Sequence, residues 1–306
     1  MGSQCCVQER SINRASIASK AIEDELEYMK ELSFCHQRRR VLVYEDKPIC
    51  YFLSKIELLN DTITTAYSLN ERGTAGEFDE YQQLQDDIVK QIQEKCDYGI
   101  TPVDDWIILC DNVDSKSGLK LFIKQIEVDS QTKVNATRCE FIVPGKPQKF
   151  IEFMSNFQKQ KELDSRIDAF YPIKKNEENK ETVIYLSYKP ILMTSAREFI
   201  YYKKTKQIDS NVWCDVSKSV TDSQYPIRNK VRGEVLLSGY TIQPLSNLIN
   251  NDYINNRFKN KNFDDYSFVK MYSLCDFKLS IPLYMAKGQV KQEMIKYIDL
   301  VYQKLQ

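Results

Sequence analysis

The sequence predicts an α+β domain, a curved antiparallel β-sheet wrapped around a long C-terminal helix, with an N-terminal helical extension ahead of it. Three observations predict this. Short segments rich in β-branched and aromatic residues, each bounded by turn residues, recur from Trp106 to Cys275. The stretch from about residue 286 to 305 carries the clearest amphipathic pattern in the chain. Gly73 and Gly76, within the stretch 70–77, mark a linker and divide an extension, residues 1–76, from a domain, residues 77–306.

In the extension, Ile17, Ala21, Ile22, Leu26, Met29 and Leu32 recur at helical spacing with acidic residues between them, so residues 16–34 read as an amphipathic helix. Arg38, Arg39 and Arg40 follow it, either as a contact for anionic lipid or as a solvated face. The domain opens with a helix over 77–96, carrying Phe78, Tyr81, Leu84, Ile88 and Ile92 on one side. Strands follow at Trp106–Asp111, Leu119–Ile126 and Ala136–Val143. Pro144 to Pro147 break the pattern, and helices are expected at Phe150–Gln160 and Leu163–Phe170. Strands resume at Thr182–Lys189, Arg197–Lys204, Asn211–Ser219, Lys230–Gln243 and Tyr266–Cys275. In the closing helix, Val290, Met294, Tyr297, Ile298, Val301 and Leu305 repeat at three- and four-residue intervals, with charged residues opposite. An antiparallel sheet folded around that helix leaves room for a small hydrophobic molecule.

Composition narrows the chemistry. The 43 Lys plus Arg balance 43 Asp plus Glu, which argues against a nucleic-acid partner held by a basic excess. Gly is scarce, and no glycine-rich phosphate motif occurs. His36 is the one histidine, so a metal site needing two is excluded within the chain, and the domain has no His for general-base catalysis. The nine cysteines are scattered without a C-x-x-C pair and read as reduced, mostly buried thiols of a cytoplasmic protein. No apolar run approaches the ~18 residues of a spanning helix. No catalytic residue, no metal and no cofactor are expected.

The chain opens Met1-Gly2-Ser3-Gln4-Cys5-Cys6. Gly2 is placed for N-myristoylation, and Cys5 and Cys6 for palmitoylation, with Cys6 standing where Ser or Thr is preferred. Two acyl chains make a stable anchor where one binds marginally, at about 0.8 kcal/mol per buried CH2. Acylation here would hold the protein peripherally on a membrane surface; the alternative is an uninformative start.

From Trp106 to Leu305 the chain resembles the START domain, the lipid-transfer module of helix-grip fold related to the steroidogenic acute regulatory protein. Ala196-Arg197-Glu198-Phe199, Val231-Arg232-Gly233-Glu234, Asp276 followed by Ile281-Pro282, and Ile167-Asp168 carry the resemblance. Leu279 stands at the family's usual Gly, and Ile167 at its usual Trp. The resemblance implies non-enzymatic binding and transfer of one lipid, phospholipid or sterol, or a lipid-gated module tethered at a membrane. It also implies a closing loop, Thr221–Asn229, with Gln224, Tyr225, Pro226, Ile227 and Arg228 as the gate.

Some sterol-binding relatives bury an acid–Arg pair whose positions fall on Ile184 and Lys203, and the headgroup cage of phosphatidylcholine-binding relatives falls on Leu186 and Phe199. Side chains alternate along a strand, so Ile184 brings Leu186 and Tyr188 with it, and Lys203 brings Tyr201, Phe199 and Arg197. These residues, with Arg232 and with Met294 and Ile298 of the last helix, are the expected lipid-binding set; filling a core is the other reading. Arg197 and Arg232 need partners, with Glu198, Glu234 and Asp168 as candidates. Lys203, lacking its acid, is expected to meet a ligand phosphate or to snorkel to solvent.

Overall fold

The computed structural model describes residues 78, 81–96, 105–190, 194–221, 227, 229–279 and 281–306, with the backbone alone for residues 82, 83 and 85. The expected helix at 16–34, Arg38 to Arg40, the linker and the acylation positions Gly2, Cys5 and Cys6 lie outside the described residues. So do Gln224, Tyr225, Pro226 and Arg228 of the expected gate.

The elements run α1 (Gln82–Cys96), β1 (Ile107–Asp111), β2 (Lys120–Glu127), β3 (Lys133–Pro144), α2 (Pro147–Ser155), α3 (Phe157–Leu163), β4 (Ile167–Asn176), β5 (Glu181–Tyr188), β6 (Arg197–Asp209), β7 (Val212–Ser219), β8 (Val231–Arg232), β9 (Glu234–Pro244), α4 (Asp252–Phe258), β10 (Tyr266–Asp276) and α5 (Leu283–Leu305). The strands form a single sheet in the order β1-β2-β3-β10-β9-β7-β6-β5-β4. Every neighbour in that order is antiparallel, and the two-residue β8 pairs parallel with the start of β6. This is the helix-grip arrangement expected from the sequence.

Three local expectations need correction. Leu163–Phe170 is not a helix: α3 ends at Leu163, and Ile167 opens β4. Leu163, Ile167 and Phe170 match a helical period, but pairing with β5 decides the outcome. β4 is an edge strand with a register shift next to Pro172, whose missing N–H an edge tolerates. The single helix expected at Phe150–Gln160 is two, because Asn156 leaves helical geometry and its side chain caps α3 by accepting from Lys159 N. The strand expected at Lys230–Gln243 breaks at Gly233, where a Cβ would meet Phe199 Cε1 at 2.3 Å and the Asp276 carbonyl oxygen at 3.0 Å. One short helix, α4, capped by Asn251, was not foreseen.

The sheet buries both faces. On the inner face, Leu121, Phe141, Val143, Tyr240, Ile242 and Val269 pack with Phe150 of α2 and with Ile298, Val301 and Leu305 of α5. On the outer face, Val183, Ile200, Tyr202, Cys214, Val216 and Tyr272 pack beneath Ile88, Val89 and Ile92 of α1. Beside that cluster, Ile142 and Phe268 pack against Ile254 and Phe258 of α4. Trp213 belongs to the inner core and Trp106 packs edge-on to Tyr272, so both serve as packing residues.

Candidate functional site

β5 and β6 pair in the register Ile184↔Tyr201, Leu186↔Phe199 and Tyr188↔Arg197. Alternation along each strand then puts Ile184, Leu186, Tyr188, Arg197, Phe199, Tyr201 and Lys203 on the inner face. Ile184, Phe199, Tyr201 and Val235 are buried together, while Phe157, Phe170, Leu186, Tyr188 and Cys275 pack against them only half-buried.

Helix α5 covers this face unevenly. Its C-terminal half buries Ile298, Val301, Tyr302 and Leu305. Val290, Met294 and Tyr297 are half-buried, and near the start Ala286 is buried while Tyr284 is 76% and Met285 59% exposed. Val290, Met294 and Tyr297 still pack against the inner core beside Ile298 and Val301, while Leu186 and Tyr188 on the inner face of β5 keep part of their surface accessible.

At the deep end of this region stands a buried ion pair. Lys203 Nζ lies 3.3 Å from Asp215 Oδ2 and donates to the Met154 carbonyl oxygen at 3.3 Å. Thr205 Oγ1 donates to the same Asp215 oxygen at 2.7 Å. Lys203 therefore does not await a ligand phosphate for want of an acid: β7 supplies the acid that β5 lacks. Burial pushes the Asp215 carboxyl up, and Lys203, Thr205 and Tyr240 pull against it.

Tyrosine hydroxyls gather around the pair. Tyr201 feels Tyr188, Asp215 and Tyr297, and Tyr240 feels Asp215 and Tyr297. Burial raises all four phenols above their ordinary value, so they remain neutral donors. Tyr297 donates to Gln160 Oε1 at 3.4 Å. The Tyr240 hydroxyl is set against Asp215, and Trp213 Nε1 is buried and closes no hydrogen bond among the described residues.

At the opposite end, Arg197 pairs with none of the three acids expected for it. Its Nε donates to the Phe277 carbonyl oxygen at 3.3 Å and its guanidinium also reaches Ser195 O, fixing the turn between β10 and α5. The acids are engaged elsewhere: Glu198 with Arg232, Glu234 with Lys278 and Asp168 with Lys230. Arg232 stands apart from the other expected lining residues. Its guanidinium forks onto Glu198 at 2.8 and 3.1 Å, and Glu198 faces the outer side, where Tyr185 also donates to it. The Phe277 ring lies 5.1 Å from Phe199 and 6.1 Å from Tyr188. Ile281, Tyr284 and Met285, which follow Phe277 in the chain, are exposed.

The chemistry of the described thiols runs against nucleophilic use. Burial pushes Cys96 and Cys275 up to about 11 and raises Cys139 and Cys214 as well, whereas a reactive thiol needs a lowered value. Among the described residues, no group of three His, Cys, Asp or Glu could hold a metal ion.

Sequence reasoning missed Asp215, Tyr240 and Gln160. Alternation from Trp213 would have put Asp215 on one face of β7, but only the register Thr205↔Asp215 brings it beside Lys203.

A family model described as the START domain matches residues 104–306. Two solved human structures share the fold. StAR-related lipid transfer protein 5 is 14% identical with a TM-score of 0.56, over 73% of this chain and 97% of that one. STARD10 is 15% identical with a TM-score of 0.54, over 71% of this chain and 78% of that one. No curated protein sequence matches this chain.

Proposed function

Because this chain belongs to the START domain family, we propose that it binds a single lipid between the inner face of its sheet and helix α5, and carries it between membranes without catalysis. The observation that carries this reading is the inner face of β5, where Leu186 and Tyr188, with Phe157 and Phe170 packed beside them, stay half-buried on the face that the core elsewhere seals, giving an apolar and tyrosine lining. A lipid seated there gains about 0.8 kcal/mol for each buried CH2. One of the two structures of like fold belongs to a protein named for lipid transfer.

Entry requires the loop Thr221–Asn229 or the start of α5 to move. Tyr284, Met285 and Ile281, with Phe277 before them, offer an apolar contact to a bilayer at that end. Incubation of the protein with liposomes holding labelled lipids, followed by re-isolation, is expected to recover about one lipid per chain. Replacing Tyr284 and Met285 by Asp is expected to slow extraction by about tenfold or more, since each side chain contributes about 1.5–3 kcal/mol on burial. The amount bound at equilibrium should be unchanged. Recovery of no lipid by the wild-type protein contradicts the reading.

Location at a membrane is a second element of the proposal. Dual acylation at Gly2 and at Cys5 or Cys6 would restrict transfer to closely apposed membranes and would suit a lipid-gated tethered module. Labelling with a myristate analogue in cells should mark the wild-type chain and not Gly2→Ala. An unlabelled wild-type chain leaves the free, cytoplasmic form.

A further inference from the structure

Beyond the lipid site and independent of it, we infer that the outer face of the sheet carries a second site, beside α4, which takes a small anion of the phosphate class through Lys270 and Asn251. Register builds the site. Lys120 of β2 and Lys270 of β10 stand on either side of Glu140 of β3, and Arg138 follows two residues away on the same face. A pocket of about 270 Å³, part of it open to solvent, lies where α4 meets this row. Leu248, Ile254 and Phe268 give it an apolar lining, and Glu140, Tyr253, Asn251 and Lys270 a polar one. Sites for whole organic molecules run from about 300 to 1,000 Å³, so this one suits a small ion or a single ester group.

Charge decides the sign of the ligand. Lys120, Arg138, Lys270 and the buried Arg257 of α4 bring positive charge to this region, and Glu140 and Asp111 oppose them with half as many negative charges. Both acids are engaged. Asp111 pairs with Arg257 at 2.7 Å and with Lys120 at 3.6 Å. Glu140 pairs with Arg138 at 3.4 Å through one oxygen and accepts from the Tyr253 hydroxyl at 3.4 Å through the other. Asp252, the acid at the start of α4, is exposed to solvent. Lys270 Nζ closes no ion pair and no hydrogen bond among the described residues, although its side chain is half-buried. A phosphate monoester carries about −1.5 to −2 charges at neutral pH, which matches the excess of the cluster.

Hydrogen-bond capacity points the same way. The three donors of Lys270 are all available to a ligand. Asn251 Oδ1 accepts from Ile254 N at 3.2 Å in capping α4, which fixes the orientation of the amide and leaves Nδ2 to donate. An ammonium and an amide together suit one ligand with several acceptor oxygens. The apolar lining limits the water that would screen their attraction. A cation brought to the same place would meet Lys270 first and find Glu140 already engaged.

The test titrates the full chain at neutral pH with inorganic phosphate and with glycerol 3-phosphate by calorimetry. A separate arm measures recruitment of the chain to phosphatidylcholine vesicles with and without phosphatidate. One saturable site for a phosphate ligand is expected. Lys270→Met should weaken it at least about tenfold, which equals about 1.4 kcal/mol. Asn251→Asp keeps an oxygen to cap α4 and so preserves the fold, while it puts a negative charge where Nδ2 donates; it should weaken binding at least as much. Lys304→Met, which removes an exposed lysine paired with Glu162, should leave the affinity unchanged. Lipid uptake from liposomes should be the same for the wild type and for Lys270→Met and Asn251→Asp, since neither residue lies on the inner face. Binding of the soluble phosphates alone assigns the site to a free phosphate, and recruitment to phosphatidate vesicles that Lys270→Met abolishes assigns it to a headgroup. No saturable binding in any arm, or binding that survives both Lys270→Met and Asn251→Asp, overturns the site and leaves the lipid reading untouched.

Discussion

Gly239→Ala is expected to destabilise the domain by about 3 kcal/mol or more, among the largest single-methyl effects the structure offers. Gly239 pairs with Val216 of β7 on one side and Tyr272 of β10 on the other, in the middle of the sheet. A Cβ placed there would lie 2.1 Å from the Asp215 carbonyl oxygen and 3.0 Å from Val216 Cα. Both obstacles are backbone, so no rotamer change relieves them; β7 and β9 must separate. That separation would also displace Asp215 from Lys203. Gly288→Ala is the control: nothing lies within 4 Å of its Cβ position, on an exposed turn of α5, and removal of a helical glycine should stabilise by roughly 0.5–1 kcal/mol. Urea unfolding of the two variants should therefore move in opposite directions from the wild type. Equal midpoints would contradict the close β7–β9 approach.

Ile298→Ala is expected to cost about 2–5 kcal/mol. Ile298 is fully buried in the inner-face cluster, where α5 seals the sheet. Met294, one turn earlier, is half-buried against the same cluster. Met294→Ala should cost clearly less than Ile298→Ala in the lipid-free protein, because truncating a half-buried side chain loses less buried surface and leaves a smaller cavity. The contrast measures where α5 is core and where it is cover. Hydrogen exchange should show the same gradient, with amides near the start of α5 opening more readily than those from Ile298 onward. Equal costs at the two positions, with uniform protection along the helix, would remove the basis for an entry at the start of α5.

Much of this architecture was legible in the sequence because two periods dominate it. Strands such as Thr182–Lys189 and Tyr266–Cys275 are short, β-branched or aromatic, and bounded by turn residues, and α5 holds its pattern over many turns. What escaped was decided by pairing or by capping. β4 imitates a helix through Leu163, Ile167 and Phe170, and becomes a strand because β5 lies open beside it. α4 is seven residues long, too short for a period to stand out, and only the Asn251 cap marks its start.

The site was legible along strands and illegible across them. Alternation joined Ile184 to Tyr188 and Arg197 to Lys203, yet it could not say which acid would meet Lys203. Nor could it foresee that Glu198 would turn Arg232 to the outer face. Charge pairing in a sheet depends on register, and one residue of slip reverses every face.

The central claim, that the accessible part of the inner face holds one lipid, is tested most directly by native mass spectrometry of the full chain purified from cells, followed by lipid extraction. The account predicts a complex of one chain with one non-covalently bound lipid, released intact on activation in the gas phase. A chain that emerges empty, and that also takes up no lipid from liposomes, would contradict it.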